Sequence, residues 1–192
     1  MKKLFLIVLF ITGITITSCS QQQQARRPVS QSSGAAFIDK SVERNRKLVA
    51  KEEAIIDSII KNNPDINYIA SDKGYWYHYE IENKGATITP KRGDVTYFDY
   101  DVKDLEGNVI YTKAELKPQV YYVDKENIMM GLRSGIKLMK EGETVTFLFP
   151  SNMGYGYHGD NNKIGVNQPL VCTVTLNKIK PEAEVKENNN KL

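Results

Sequence analysis

The chain of 192 residues is long enough for one domain of ordinary size with extensions. Its 41% hydrophobic and 26% charged residues exclude collagen-like and wholly disordered chains, and the only long apolar run, at the extreme N-terminus, excludes a polytopic membrane protein. The formal charge of +3 comes from 26 basic and 23 acidic residues interleaved along the chain, which leaves no electrostatic footprint for nucleic acid.

Lys2 and Lys3 precede the apolar run from Leu4 to Ile11, and small polar residues follow, in the order of a secretory signal. The segment ends in Ile16-Thr17-Ser18-Cys19, which resembles the lipobox of bacterial lipoproteins, whose cysteine is acylated and becomes the mature N-terminus. An uncleaved signal anchor is the alternative, but the run is short for a span of ~20 residues and is broken by Thr12, Gly13, Thr15 and Thr17. With Lys2 and Lys3 removed by cleavage, the 26 basic residues become 24 against 23 acidic ones, a charge of +1. The resemblance implies lipid on Cys19 and a place on the periplasmic face of a membrane. No aspartate follows the cysteine in Ser20-Gln21-Gln22-Gln23, so the outer membrane is the expected address. Cys19 and Cys172 are then not disulfide partners, and Cys172 is either a buried small hydrophobe or a lone reactive thiol.

Residues 19–35 are polar and turn-rich and read as a flexible tether carrying the lipidated cysteine. A helical extension follows over 36–69, its helix at 36–63 marked by apolar pairs at Leu48/Val49, Ile55/Ile56 and Ile59/Ile60 and stopped by Asn62-Asn63-Pro64. Asn45 and Glu52/Glu53 interrupt the stripe. The helix either lies on its own domain, pairs with its copy in a homodimer, or reaches out as an arm that holds clients. Residues 70–180 then read as a domain containing its own core, and 181–192 as a solvated tail. Within the domain, strands are predicted at 75–81, 94–102, 109–111, 120–123, 144–149 and 170–179, with a turn at Leu105-Glu106-Gly107-Asn108. Ile128, Met129, Leu132, Ile136 and Met139 recur at the spacing of one short helix. The fold class is α+β, an antiparallel sheet of about five strands wrapped around that helix.

Two histidines, His78 and His158, with no thiol or second histidine at ligand spacing, give no zinc site and no Ser-His-Asp triad, and no cofactor motif is present. The informative stretch is Pro90-Lys91-Arg92-Gly93, Tyr100, Gly107, Lys117-Pro118, Ile128-Met129-Met130-Gly131-Leu132, Gly135, Met139, Gly142, Pro150, Tyr155-Gly156 and Leu170 to Ile179. In order and spacing it resembles the FKBP-type peptidyl-prolyl cis-trans isomerases. With the lipobox and the preceding helix, it is most similar to the gliding-motility-associated FKBP-type lipoproteins of Bacteroidota. The resemblance implies an FKBP-like fold, an isomerase acting on proline-containing polypeptide clients, and an envelope setting, with gliding or secretion machinery among the client assemblies.

Isomerisation needs no acid, base or nucleophile. Rotation about an amide passes a barrier of ~18–20 kcal/mol through a twisted state that has lost conjugation. A dry pocket that grips the proline ring, with a donor for the preceding carbonyl, favours that state. The resemblance assigns Tyr100, Met129 and Tyr155 to catalysis, Met129 through its backbone N–H and Tyr155 through its phenol. It assigns Ile110, Tyr111, Ile128, Leu132, Ile164 and Cys172 to substrate binding. Five positions depart from the family. Leu132 replaces the tryptophan floor, Tyr111 an aspartate, Gln119 and Cys172 aromatic walls, and Asp160 a loop histidine. Two functions stay open at this point, a prolyl isomerase of low activity or a non-catalytic FKBP-like assembly module. The five departures support the second, and for Ile110, Ile128, Met129 and Leu132 the alternative to a pocket is a filled core.

Overall fold

The computed structural model describes residues 31–181 and 183–184. The signal segment, Cys19, the tether up to residue 30 and most of the tail lie outside the described residues. The first element, α1, spans Gln31–Asn62, so the helix starts five positions earlier than 36 and takes in the end of the expected tether. Once a helix is nucleated, each further turn costs little, and polar residues such as Gln31 and Ser32 join it without needing a core.

The chain divides into two compact units between Ser41 and Val42, within α1. In the first, the described residues are helical, and Phe37 and Ile38 are exposed. The second holds the remainder of α1 and the whole sheet. There Glu52 and Ile56, one helical turn apart, are buried, and Ile55 is exposed. The Glu52 carboxylate accepts two hydrogen bonds from Ser151, one from its backbone N–H and one from its hydroxyl, each 2.8 Å. This half of the helix therefore lies on its own domain, and the interruption of the stripe at Glu52 is the contact itself.

The sheet is antiparallel. Its strands are β1 (Ile69–Ala70), β2 (Trp76–Ile81), β3 (Asp94–Lys103), β4 (Val109–Tyr111), β5 (Gln119–Tyr122), β6 (Thr144–Phe149) and β7 (Leu170–Pro181). They lie in the order β1-β2-β6-β7-β3-β4, and β5 pairs with β3 as well. The short β1, at the expected boundary between the helical extension and the domain, pairs Ile69 with Tyr77 and Ala70 with Trp76. Two short helices complete the fold, α2 (Lys113–Leu116) and α3 (Met130–Gly135), the latter continued by a 3-10 turn at Ile136–Leu138. The α+β architecture is thus as expected, with a longer sheet.

Alternation decides which side of each strand meets α3. Along β7, Leu170, Cys172, Val174 and Leu176 are buried and their neighbours are not, and Phe98 and Val102 on β3 join the same core. Leu132, Ile136 and Met139 come from the helix side. The approach of helix to sheet is close. A Cβ on Gly131 would stand 2.6 Å from the Phe149 ring, and one on Gly135 2.7 Å from the Phe147 ring. These two rings stack 5.3 Å apart at 5°, and the glycine face at i and i+4 lies against them.

Candidate functional site

Along β3 the hydrogen-bonded partner changes from β5, which pairs with Val95 to Phe98, to β4, which pairs with Val102 and Lys103. Tyr100 lies in the interval between them. From there it faces a cavity of about 790 Å3 whose other walls include Gln119, Ile128, Met129, Leu132 and Tyr155. Ile128 and Met129 arrive from the segment entering α3, Leu132 from its first turn, and Tyr155 from the loop after β6. Leu132 is nearly buried and forms the floor.

Met129 is the N-cap of α3 and has no side-chain cap bond, at a helix start, where the first N–H groups have no intrahelical acceptor. Burial pushes the Tyr100 phenol far up, reinforced by Tyr155, Cys172 and Tyr111. Burial likewise raises Tyr155, with Asp160 adding to it. Both therefore stay protonated at neutral pH, as donors facing an apolar floor. Such a cavity can hold a pyrrolidine ring, strip water from the preceding amide and offer its carbonyl a donor, the requirements for favouring a twisted imide.

Comparison with known proteins points the same way. The sequence profile of the family described as "FKBP-type peptidyl-prolyl cis-trans isomerase" matches residues 86–177. Mouse FKBP2, a peptidyl-prolyl cis-trans isomerase, is 30% identical over 99 residues, which are 51% of this chain and 71% of that protein. The chain belongs to the FKBP-type isomerase family. A Neisseria meningitidis protein named "Probable FKBP-type peptidyl-prolyl cis-trans isomerase FkpA" is 33% identical over 102 residues, 53% of this chain and 37% of its own length. A Haemophilus influenzae protein, named as a probable isomerase of the same type, is 27% identical over 163 residues, 77% of this chain and 65% of its own. The match thus spans only part of these bacterial relatives. In three dimensions the Escherichia coli FkpA crystal structure shares the fold with a TM-score of 0.57 at 21% identity, over 92% of this chain and 83% of that one. A Pseudomonas syringae isomerase does so with 0.55 at 19%, over 70% and 95%.

Within this FKBP fold, the structure gathers five of the expected site residues, Tyr100, Ile128, Met129, Leu132 and Tyr155, around one cavity. Four others do not line it. Cys172 is fully buried in the core, where desolvation raises its thiol far above the ordinary range, and Ile164 is buried in the same cluster. Cys172 stands on the inward parity of β7, so it is a core side chain and not a reactive thiol. Ile110 packs against the edge of that core.

Tyr111 points to the loop. Its hydroxyl donates to Asp160 Oδ2 and accepts from Asn162 Nδ2 at 2.9 Å, and Asp160 Oδ1 in turn takes the backbone N–H groups of Asn162 and Ile164 at 2.8 Å. Burial works to raise Asp160, but these donors hold its carboxyl below the usual range, and the same bond raises the Tyr111 phenol. Two departures from the family pattern are therefore partners of one another. Together they fasten the loop at 159–164 to β4. A third, Gln119, turns its amide back to donate to Leu116 and Lys117 carbonyls at the end of α2 while still lining the cavity.

Phe98, Asn127, Met130, Asn152, Tyr157 and His158 also line the cavity, and none was assigned a role from the sequence. The inward parity of β3 placed Phe98 beside Tyr100, and the rings lie 5.7 Å apart. Met130 opens α3, and the others sit on short turns and irregular backbone before α3 and after β6, where no periodicity reports direction.

Proposed function

We propose that this chain is a lipid-anchored peptidyl-prolyl cis-trans isomerase that assists the folding of exported and envelope proteins. The observation that carries the reading is the convergence of Tyr100, Ile128, Met129 and Tyr155 on one open cavity above Leu132. A bound X-Pro segment would rest its ring on Leu132 and Ile128, meet the Met129 N–H with one carbonyl and the Tyr155 phenol with another. In this reading Cys19 carries the lipid and holds the domain on the periplasmic face of the outer membrane. Components of a gliding or secretion apparatus would be among its clients, and the exposed Phe37, Ile38 and Val42 of α1 would serve pairing with a second copy.

The second reading is a non-catalytic FKBP-like assembly module. Its support is the aliphatic floor at Leu132 and the amide wall at Gln119, which offer a proline less aromatic surface than the family usually provides. Refolding of a model protein limited by a prolyl step separates the two. Catalytic amounts of the mature chain should accelerate the slow phase, and Tyr155→Phe or Met129→Pro should remove most of that effect. No acceleration at any ratio, together with stoichiometric binding of the unfolded protein, would leave the assembly module. Anchoring is tested apart from this by fractionation, since Cys19→Ala protein that still pellets with membranes would contradict it.

A further inference from the structure

On the far side of Met130 from the prolyl cavity lies a second cleft of about 290 Å3, lined by Lys73, Met130, Arg133, Ser134, Lys137 and Met153. Met130, itself 59% exposed, lines both openings, so the two are neighbours separated by one side chain. Residues 130, 133, 134 and 137 recur at i, i+3, i+4 and i+7, the face of α3 and its 3-10 turn opposite to the buried Leu132, Ile136 and Met139. Lys73 comes from the turn before β2 and Met153 from the turn after β6, and Ser134 is held at 3.1 Å by the Tyr75 hydroxyl. The cleft pairs the buried Met153 and the exposed Met130 with a cationic rim. Asp124 binds both Arg133 and Lys137 at 3.1 Å, and Lys73 meets the exposed Asp72 at 3.3 Å. Of these charges, three are positive and two negative, which leaves the rim basic.

We propose that this cleft is a subsite for client residues flanking the proline, and that it selects an apolar side chain set among aspartates or glutamates. The proposal rests on the neighbouring cavity being the prolyl site. Methionine is flexible and polarisable and accepts apolar side chains of varied shape, as unfolded clients require. From Met130 to Lys137 the helix advances about 10 Å at ~1.5 Å per residue, a distance covered by about three residues of extended chain at ~3.3 Å each. The selected residues therefore lie roughly three positions from the proline. Because the rim is partly exposed, its selectivity should be several-fold and salt-dependent.

The test compares isomerisation of a short X-Pro peptide with that of longer peptides carrying Leu-Glu-Glu or Leu-Lys-Lys about three residues before or after the proline. For at least one side, kcat/KM for the acidic peptide should exceed that for the basic one about five-fold at low salt. Lys73→Glu, or raising salt to about 0.5 M, should collapse that ratio while the short peptide continues to turn over. Equal rates for acidic and basic peptides on both sides, or a ratio that Lys73→Glu leaves intact, would overturn the proposal. If even the short peptide is not turned over, the isomerase reading fails by itself. The cleft is then decided by fluorescence anisotropy with the same labelled peptides, where an acidic preference lost in Lys73→Glu supports it and no preference overturns it.

Discussion

Replacing Glu52 by alanine should cost far more than its place on a helix surface suggests. Glu52 is 4% exposed and Ser151 2%, and the carboxylate accepts both the N–H and the hydroxyl of Ser151 at 2.8 Å. That N–H opens the 3-10 turn at Ser151–Met153, where a helical start leaves donors unpaired, so Glu52 acts as its cap from 99 residues away. The intact contact is a modest net gain, because burying the carboxylate offsets much of two charge-assisted bonds. Its loss is different. Alanine strands two buried donors at ~1–3 kcal/mol each, giving ~2–6 kcal/mol in all. For a domain of this size each kcal/mol lowers Tm by ~2–4 °C, so thermal unfolding should show a fall of roughly 4–24 °C, with a matching drop in the urea midpoint. Ser151→Ala keeps the N–H bond and should lose about half as much. Glu53→Ala, one position along and only half-buried, should stay within ~0.5 kcal/mol of the parent. The turn leads directly into Asn152, Gly154 and Tyr155 on the cavity wall, so Glu52→Ala should also lower kcat/KM in the fraction that remains folded. If Glu52→Ala melts within error of Glu53→Ala, the helix does not brace the site and the reasoning fails.

Other expectations follow from the packing and the charges. Gly131→Ala and Gly135→Ala should each destabilise by ~1–3 kcal/mol in denaturant unfolding, because the new methyl meets a ring at 2.6 or 2.7 Å; a neutral result would mean that the helix can lift from the sheet. Tyr100 and Tyr155 are raised above the ordinary phenol value. Above pH ~10 the unfolded chain therefore ionises first, and stability should fall as pH rises through their folded values. Asp160 is lowered, so the Tyr111–Asp160 latch is fully present above the ordinary carboxylate value of ~3.9 and is lost as pH falls through the lower folded one. Neither phenol nor the latch should therefore titrate activity between about pH 6 and 9, and a Tyr155-dependent titration inside that window of a pH-rate profile would contradict it. Leu132→Trp should tighten FKBP-directed macrolide ligands about ten-fold, measured by calorimetry, since the floor opens to the cavity; a lower Tm with no gain in binding would mean a closed core.

Much of the fold was legible because its strands alternate. In β7 the parity of Leu170, Cys172, Val174 and Leu176 survives unchanged in burial, and it makes Cys172 a core side chain where the resemblance implies a pocket residue. The residues around α3 were legible for the same reason, with a helical period sorting Leu132, Ile136 and Met139 inward. What the sequence hid was pairing at long separation. Glu52 reads as an interruption of an apolar stripe until Ser151 supplies its donors. Tyr111 and Asp160 read as two independent losses until the fold brings them together. The two-residue strand at Ile69–Ala70 carries no pattern of its own and exists because β2 offers an edge. Charge and hydroxyl contacts of this kind leave no periodic trace, so only the folded chain reveals them.

The most direct test of the central claim is exchange NMR on a short X-Pro peptide with the purified mature chain at catalytic concentration. Cis–trans exchange, tens of seconds or slower unaided, should rise well above background, fall at least ten-fold with Met129→Pro, and fall several-fold with Tyr155→Phe while both variants remain folded. Exchange at the uncatalysed rate across varied residues before proline, or acceleration that both variants retain, would contradict catalysis in this cavity.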